Sequence, residues 1–156
     1  MRFSLQVHYA ICGVFDLAYS GQGRPVQVRV IGERQAIPTR YLEQIFQRLR
    51  RAKLVSGKRG PGGGYVLARD AAEISLREIV EAVEGPVGGE PFAEAGAAAS
   101  GSAGGVGTAG RPDFIWPELA DRIGRVLDEI SVSDLCRQAA RRGVPRLYRV
   151  VQDYQI

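Results

Sequence analysis

The chain has 156 residues, 45% of them hydrophobic and 24% charged, with a formal net charge of +4. That length suits one domain, or one small domain with an extension, and the composition is that of an ordinary globular protein. No apolar run approaches the roughly 20 residues of a membrane span, two cysteines are too few for a disulfide framework, and the positive excess mildly favours a polyanionic partner.

The first segment, MRFSLQVHYAICGVFDLAYSG, has a basic start and an apolar stretch, but His8 and Asp16 interrupt it and no clear small-residue cleavage site follows. It reads as the first helix of a cytoplasmic protein in a reducing compartment. Leu5, Tyr9, Cys12, Phe15 and Tyr19 recur at spacings of three and four and form one apolar stripe from Ser4 to about Tyr19. Gly21 and Gly23 end this helix, and Pro25 follows. Val26, Val28 and Val30 alternate with Gln27 and Arg29, which predicts a short strand leading into a helix at about Arg29–Gln35. Ile37-Pro38 makes a turn, because a residue before proline is biased away from helical backbone.

The next helix has Pro38 near its first turn, where a missing N–H costs little. Leu42, Ile45, Phe46 and Leu49 should face the core, leaving Arg40, Glu43, Gln44, Gln47, Arg48 and Arg51 outside. Leu54–Ser56 and Gly64–Leu67 then read as two strands joined by the Gly- and Pro-rich tip Gly57–Gly63. Ser75-Leu76-Arg77-Glu78 matches a capping box at the start of a helix reaching Glu84. Over 85–112, Gly and Ala supply 16 of 28 residues, so this stretch buries little and is expected to be a mobile loop. A long helix is expected over Asp113–Ile130. Ile115, Leu119, Ile123, Val126 and Ile130 make it too apolar for a lone surface helix, so it is expected to pack against a second copy of the chain. The tail, 143–156, carries Arg146 and Arg149 and is expected to be poorly ordered.

The chemistry concentrates between Arg40 and Arg59, where seven Lys or Arg residues meet one acid, Glu43. An arginine-rich amphipathic helix running into a basic, glycine-rich hairpin is the layout of a recognition helix followed by a wing, which makes double-stranded DNA the first partner to consider. In helix-turn-helix proteins the N-terminal part of the second helix reads bases in the major groove. Here that part carries Thr39, Arg40, Tyr41, Glu43 and Gln44: Arg40 suits guanine, Gln44 adenine and Glu43 cytosine. Arg48 extends this face. Lys58 and Arg59, with the small tip Gly60, Pro61 and Gly62, are placed for phosphate or minor-groove contact. An enzyme is not indicated, because there is no paired acid/base set, phosphate loop or metal-ligand cluster. A winged-helix module for protein contact or small-molecule sensing is the other reading, and it lacks the salt dependence of phosphate binding.

Arg34-Gln35-Ala36-Ile37, Tyr41-Leu42-Glu43-Gln44-Ile45-Phe46, Leu49-Arg50, Leu54-Val55 and Arg59-Gly60-Pro61-Gly62-Gly63-Gly64-Tyr65 closely resemble the IscR/NsrR-type family of winged helix-turn-helix transcription regulators. The match covers about residues 1–84 and resumes more loosely over 113–130. The resemblance implies a mainly α (α+β) fold, a winged helix-turn-helix domain with a long C-terminal dimerisation helix. It divides the chain into a DNA-binding domain (1–84), a cluster loop or linker (85–112), a dimerisation helix region (113–142) and a tail (143–156). It further implies a homodimer joined through Ile115, Leu119, Ile123, Val126 and Ile130, acting as a repressor-like regulator on a two-fold operator.

Many members of that family hold an iron–sulfur cluster, 2Fe-2S or 4Fe-4S, whose state sets DNA affinity in response to iron–sulfur supply, redox state or nitric oxide. Their pattern is three loop cysteines at six-residue intervals and a variable fourth ligand. This loop has no cysteine, and a cluster needs thiolates. Ala97, Ala103 and Ala109 lie at six-residue intervals in the same loop. Either alanine has replaced ligand cysteines at these positions, or the chain is a natural member that senses something else, or nothing. The resemblance also implies, as in some members, a ligand drawn from the first helix of the partner subunit, which makes His8 the candidate fourth ligand. Cys12 and Cys136 read as structural.

Overall fold

In a computed structural model, which describes residues 3–88, 112 and 115–147, helix α1 (Leu5–Tyr19) starts at Ser4, whose side-chain oxygen accepts from the Val7 N–H at 3.3 Å. The buried face of α1 is Val7, Ala10, Val14 and Leu17. The stripe expected from spacing is borne out at its end only: Tyr19 is buried, but Tyr9, Cys12 and Phe15 are half-buried and Leu5 is exposed. Both faces of α1 are apolar, so periodicity alone could not choose between them. Packing against later helices did.

Val26 is not the start of a strand. It makes a single rung with Tyr65, N–H to carbonyl in both directions at 2.9 and 2.8 Å. Gln27 then caps α2 (Val28–Gln35), its carbonyl accepting from Val30 and Ile31. Gly64 makes the rung possible. Its φ is +151°, and a Cβ there would lie 2.4 Å from the Val26 carbonyl carbon. Ala36, in left-handed backbone at φ 53°, closes α2, and α3 (Thr39–Arg51) follows Pro38. Leu42, Ile45, Phe46 and Leu49 are buried as the spacing requires. Strands β1 (Val55–Lys58) and β2 (Gly64–Leu67) pair antiparallel with Val55 opposite Leu67 and Lys58 opposite Gly64. A 3-10 turn (Ala71–Glu73) leads to α4 (Leu76–Glu84), where the Ser75–Glu78 capping box forms.

The C-terminal region holds two helices rather than one. Helix α5 (Ile115–Asp128) stops short of Ile130, and α6 (Val132–Arg141) starts after Ser131 with a capping box of its own, Ser131 with Asp134. That Ser-x-x-Asp signal was present in the sequence. The chain here returns to the N-terminal unit: the Leu76 N–H donates to the Ile130 carbonyl and the Val132 N–H to the Ile74 carbonyl, both at 2.9 Å. Leu127 and Val132 join the same core as Leu42, Phe46 and Ile79. The first part of the tail is also tied down. The Tyr19 hydroxyl donates to the Val144 carbonyl at 2.8 Å, and the Leu147 N–H donates to Ser20 Oγ at 3.3 Å. Residues 148–156 and nearly all of the Gly/Ala-rich loop lie outside the described residues.

One charged pair is built into this core. Asp16 is fully buried; Arg34 Nη1 donates to its Oδ2 at 3.1 Å and Gln35 Nε2 to its Oδ1 at 3.0 Å. Burial pushes the Asp16 carboxyl above its usual range, and Gln35 and Arg34 only partly offset this. Such a pair fixes the join of α1 to the end of α2 more than it adds stability. Asp16→Ala, which orphans Arg34, is expected to lower the unfolding free energy by about 3 kcal/mol in urea melts, whereas Asp16→Leu with Arg34→Met recovers most of that loss.

Candidate nucleic-acid interface

With its apolar face in the core, α3 turns a polar spine outward. At about 100° per residue, Arg40, Gln44, Gln47 and Arg51 follow one another down the face opposite Leu42, Ile45, Phe46 and Leu49, and all four are exposed. Gln47 and Arg51 were expected outside but not singled out as contact residues; their spacing of three and four from Gln44 and Arg40 carries that signal. Thr39, Glu43 and Arg50 flank the spine on one side, Tyr41 and Arg48 on the other.

The second flank is engaged with the protein itself. Tyr41 lies beside Tyr9 at 6.3 Å between rings, and the Arg40 guanidinium sits over the Tyr41 ring at 4.7 Å while donating to its hydroxyl at 2.9 Å. Arg48 donates to Gln6 Oε1 at 2.6 Å and to the Val83 carbonyl at 3.0 Å. Its guanidinium is therefore committed to α1 and α4, which locks the rotation of α3 about its own axis.

The wing extends the same cationic surface. Lys58, Arg59, Gly60, Pro61 and Gly62 are exposed at its tip. Gly60 and Gly62 have φ of +94° and +70°, and nothing lies within 4 Å of where their Cβ atoms would be. Bare backbone thus flanks Pro61 on both sides, and it can approach a sugar-phosphate chain closely. Among the described residues, ion pairs take up Arg29, Arg34, Arg69, Arg77, Arg122, Arg125 and Arg137. Arg40, Arg50, Arg51, Lys53, Lys58 and Arg59 have no carboxylate partner there. α3 and the wing thus carry these six cations without a carboxylate partner, against Arg24, Arg141 and Arg142 elsewhere among the described residues.

Of the candidate metal-ligand positions, His8 alone lies among the described residues. His8 is exposed on α1 beside Tyr9. Cys12 and Cys136 are half-buried, and burial pushes both thiols up, away from the thiolate form that binds iron. Among the described residues no group of three or more His, Cys, Asp or Glu could hold a metal ion. Ala97, Ala103 and Ala109 lie outside the described residues.

Helix α5 has two faces. Leu127 is buried, and Gly124 lies against Arg77, which donates to Glu81 and Asp128 at 2.9 Å each and is held more firmly protonated by them. On the other side Ile115, Trp116, Leu119 and Val126 are exposed, Val126 by 58%. Ile123 and Ile130 are half-buried.

A helix-turn-helix with a wing, carrying unneutralised cations on both, defines a DNA-binding transcriptional regulator. The family profile described as Rrf2, iron-dependent transcriptional regulator, matches residues 3–138, and the chain belongs to that family. It is 37% identical over 135 residues to the HTH-type transcriptional regulator IscR of Escherichia coli, covering 86% of this chain and 80% of that protein. The solved structure of T. potens IscR superimposes with a TM-score of 0.70 at 31% identity, covering 95% of each chain. CymR, the global cysteine regulator of B. subtilis, does so with a TM-score of 0.67 at 28% identity, covering 88% of this chain and 98% of that one. These relatives are regulators, not enzymes.

Glu43→Gln and Gln44→Ala are expected to change which duplexes are enriched from a random oligonucleotide pool. Each should shift discrimination by about 1–3 kcal/mol at one base pair, with little change in affinity for non-selected DNA.

Proposed function

We propose that this chain is a homodimeric, sequence-specific, repressor-like regulator of the cytoplasm that binds a two-fold-related DNA operator. Thr39, Arg40, Glu43 and Gln44 read bases, with Gln47 and Arg51 continuing their line, and Lys58, Arg59 and the Gly60–Gly62 tip grip the backbone beside it. The observation that carries this reading is the continuous run of unpaired cations from α3 into the wing, with a single acid, Glu43, at base-reading height. Tyr41 and Arg48 belong to this surface as supports that hold α3 in place. Binding to a selected duplex is expected to weaken steeply as salt rises, because each neutralised phosphate releases counterions. Lys58→Ala with Arg59→Ala should lower affinity on every sequence tested. Salt-insensitive binding, or none, would refute the assignment.

The exposed apolar face of α5 supports the dimer. Ile115, Leu119 and Val126 stand free while Leu127 on the same helix is buried, and an uncovered apolar stripe of this kind marks an interaction surface. Two protomers reading two half-sites gain avidity. Leu119→Glu with Val126→Glu should yield monomers by light scattering and cost about two orders of magnitude in affinity for the two-fold site.

The residues present do not fit an iron–sulfur cluster, since the loop lacks cysteine and burial pushes the two thiols elsewhere up, away from the thiolate form. We therefore read the chain as a cluster-free member whose DNA affinity does not respond to iron. The likeness to a cysteine regulator favours, as a second reading, a signal delivered by a small molecule or protein partner. An anaerobically purified Ala97→Cys, Ala103→Cys, Ala109→Cys form tests whether the loop is a cluster site that has lost its cysteines. Visible absorbance and bound iron would show that the loop retains a cluster site; a colourless, iron-free protein favours the second reading.

A further inference from the structure

A groove of about 650 Å³ lies between the end of α3 and the wing. Four cations line it, Arg50, Lys53, Lys58 and Arg59, together with Tyr65 and the backbone of Gly57, and no acid does. We propose that this groove is a phosphate clamp, in which Lys53 and Arg50 hold one backbone phosphate of the DNA duplex. The proposal rests on the DNA-binding reading above and extends its footprint. Two adjacent grooves of a duplex are separated by one sugar-phosphate strand. If α3 occupies a major groove and the wing meets the neighbouring minor groove, the strand between them passes over the space between α3 and the wing, which is this groove.

Lys53 is the informative residue. Its φ is +59°, left-handed backbone that a residue with a Cβ enters at a cost of roughly 1–2 kcal/mol. The hydrogen bonds show why the chain takes that conformation. The Lys53 N–H donates to the Arg50 carbonyl and the Leu54 N–H to the Leu49 carbonyl, both at 3.0 Å. These are the two bonds of a Schellman ending, whose left-handed position is usually glycine. A lysine here forgoes the stability glycine offers and sets an ammonium at the groove's edge. Backbone strain carried by a polar side chain points to a use for that side chain. The end of a helix disfavours an anion by the equivalent of about half a charge, but two of α3's last carbonyls are satisfied by the Schellman bonds and four cations outweigh the remainder.

This geometry allows a substitution that separates folding from binding. Lys53→Gly suits the backbone, so its melting temperature should equal or exceed that of the wild type. Its affinity for a selected duplex should nevertheless fall roughly three- to tenfold, and the slope of log K against log salt should fall by about 0.9. Arg50→Gln, an exposed change on α3, should do the same, and phosphate-ethylation interference should lose one position in each variant. If the wild type binds with steep salt dependence while both variants keep its affinity, slope and interference pattern, the clamp is wrong and the DNA-binding reading stands. A wild type without salt-sensitive DNA binding overturns both.

Discussion

The rotation of α3 about its own axis is the constraint on which the rest depends. Leu42, Ile45, Phe46 and Leu49 enter one core. Burying side chains of this kind stabilises by about 1.5–3 kcal/mol each, so a rotation that lifted them out would cost more than a small domain can lose. Arg48, bonded to Gln6 and to the Val83 carbonyl, pins the same rotation from the side. Asp16, held between Arg34 and Gln35, fixes the helix that precedes the turn. The outward spine of Arg40, Gln44, Gln47 and Arg51 is the consequence of these inward contacts.

Electrostatics then follows from what is left unpaired. The net charge of +4 is modest, but among the described residues most cations outside α3 and the wing are neutralised by a nearby carboxylate. Those on α3 and the wing are not. A field of one sign is thereby concentrated on a surface that a groove and its flanking strands can meet. The wing is held at the right height by a small device: Gly64 lets the Val26 backbone pair with Tyr65, and the Tyr65 ring reaches Phe46 at 5.0 Å. The hairpin is anchored to the core at its base and bare at its tip.

The C-terminal helices complete the same body. Ile130 and Val132 pair with Leu76 and Ile74, and Arg77 joins α4 to Asp128 of α5. Glu81 accepts from both Arg77 and the Val87 N–H. The start of the Gly/Ala-rich loop, the helix that supports α3 and the helix with the exposed apolar face therefore share one polar network. A change at the α5 surface has a short path to the DNA-facing helix.

Much of this was legible in the sequence because local patterns decided it. The face of α3 follows from apolar residues at helical spacing, the start of α4 from Ser75 and Glu78, and the wing from a glycine-rich hairpin flanked by short apolar runs. The resemblance carried by Tyr41–Phe46 and Arg59–Tyr65 pointed to the family. What spacing could not decide was any choice between equivalent local options. Helix α1 is apolar on two sides, and only its neighbours selected Val7, Ala10, Val14 and Leu17. Val26 can extend a strand or end one, and contact with Gly64 settled it. The role of Arg48 as a brace, the left-handed lysine at the end of α3 and the return of α6 to the N-terminal core all depend on groups distant in sequence. A chain's own periodicity carries no information about which distant surface will meet it.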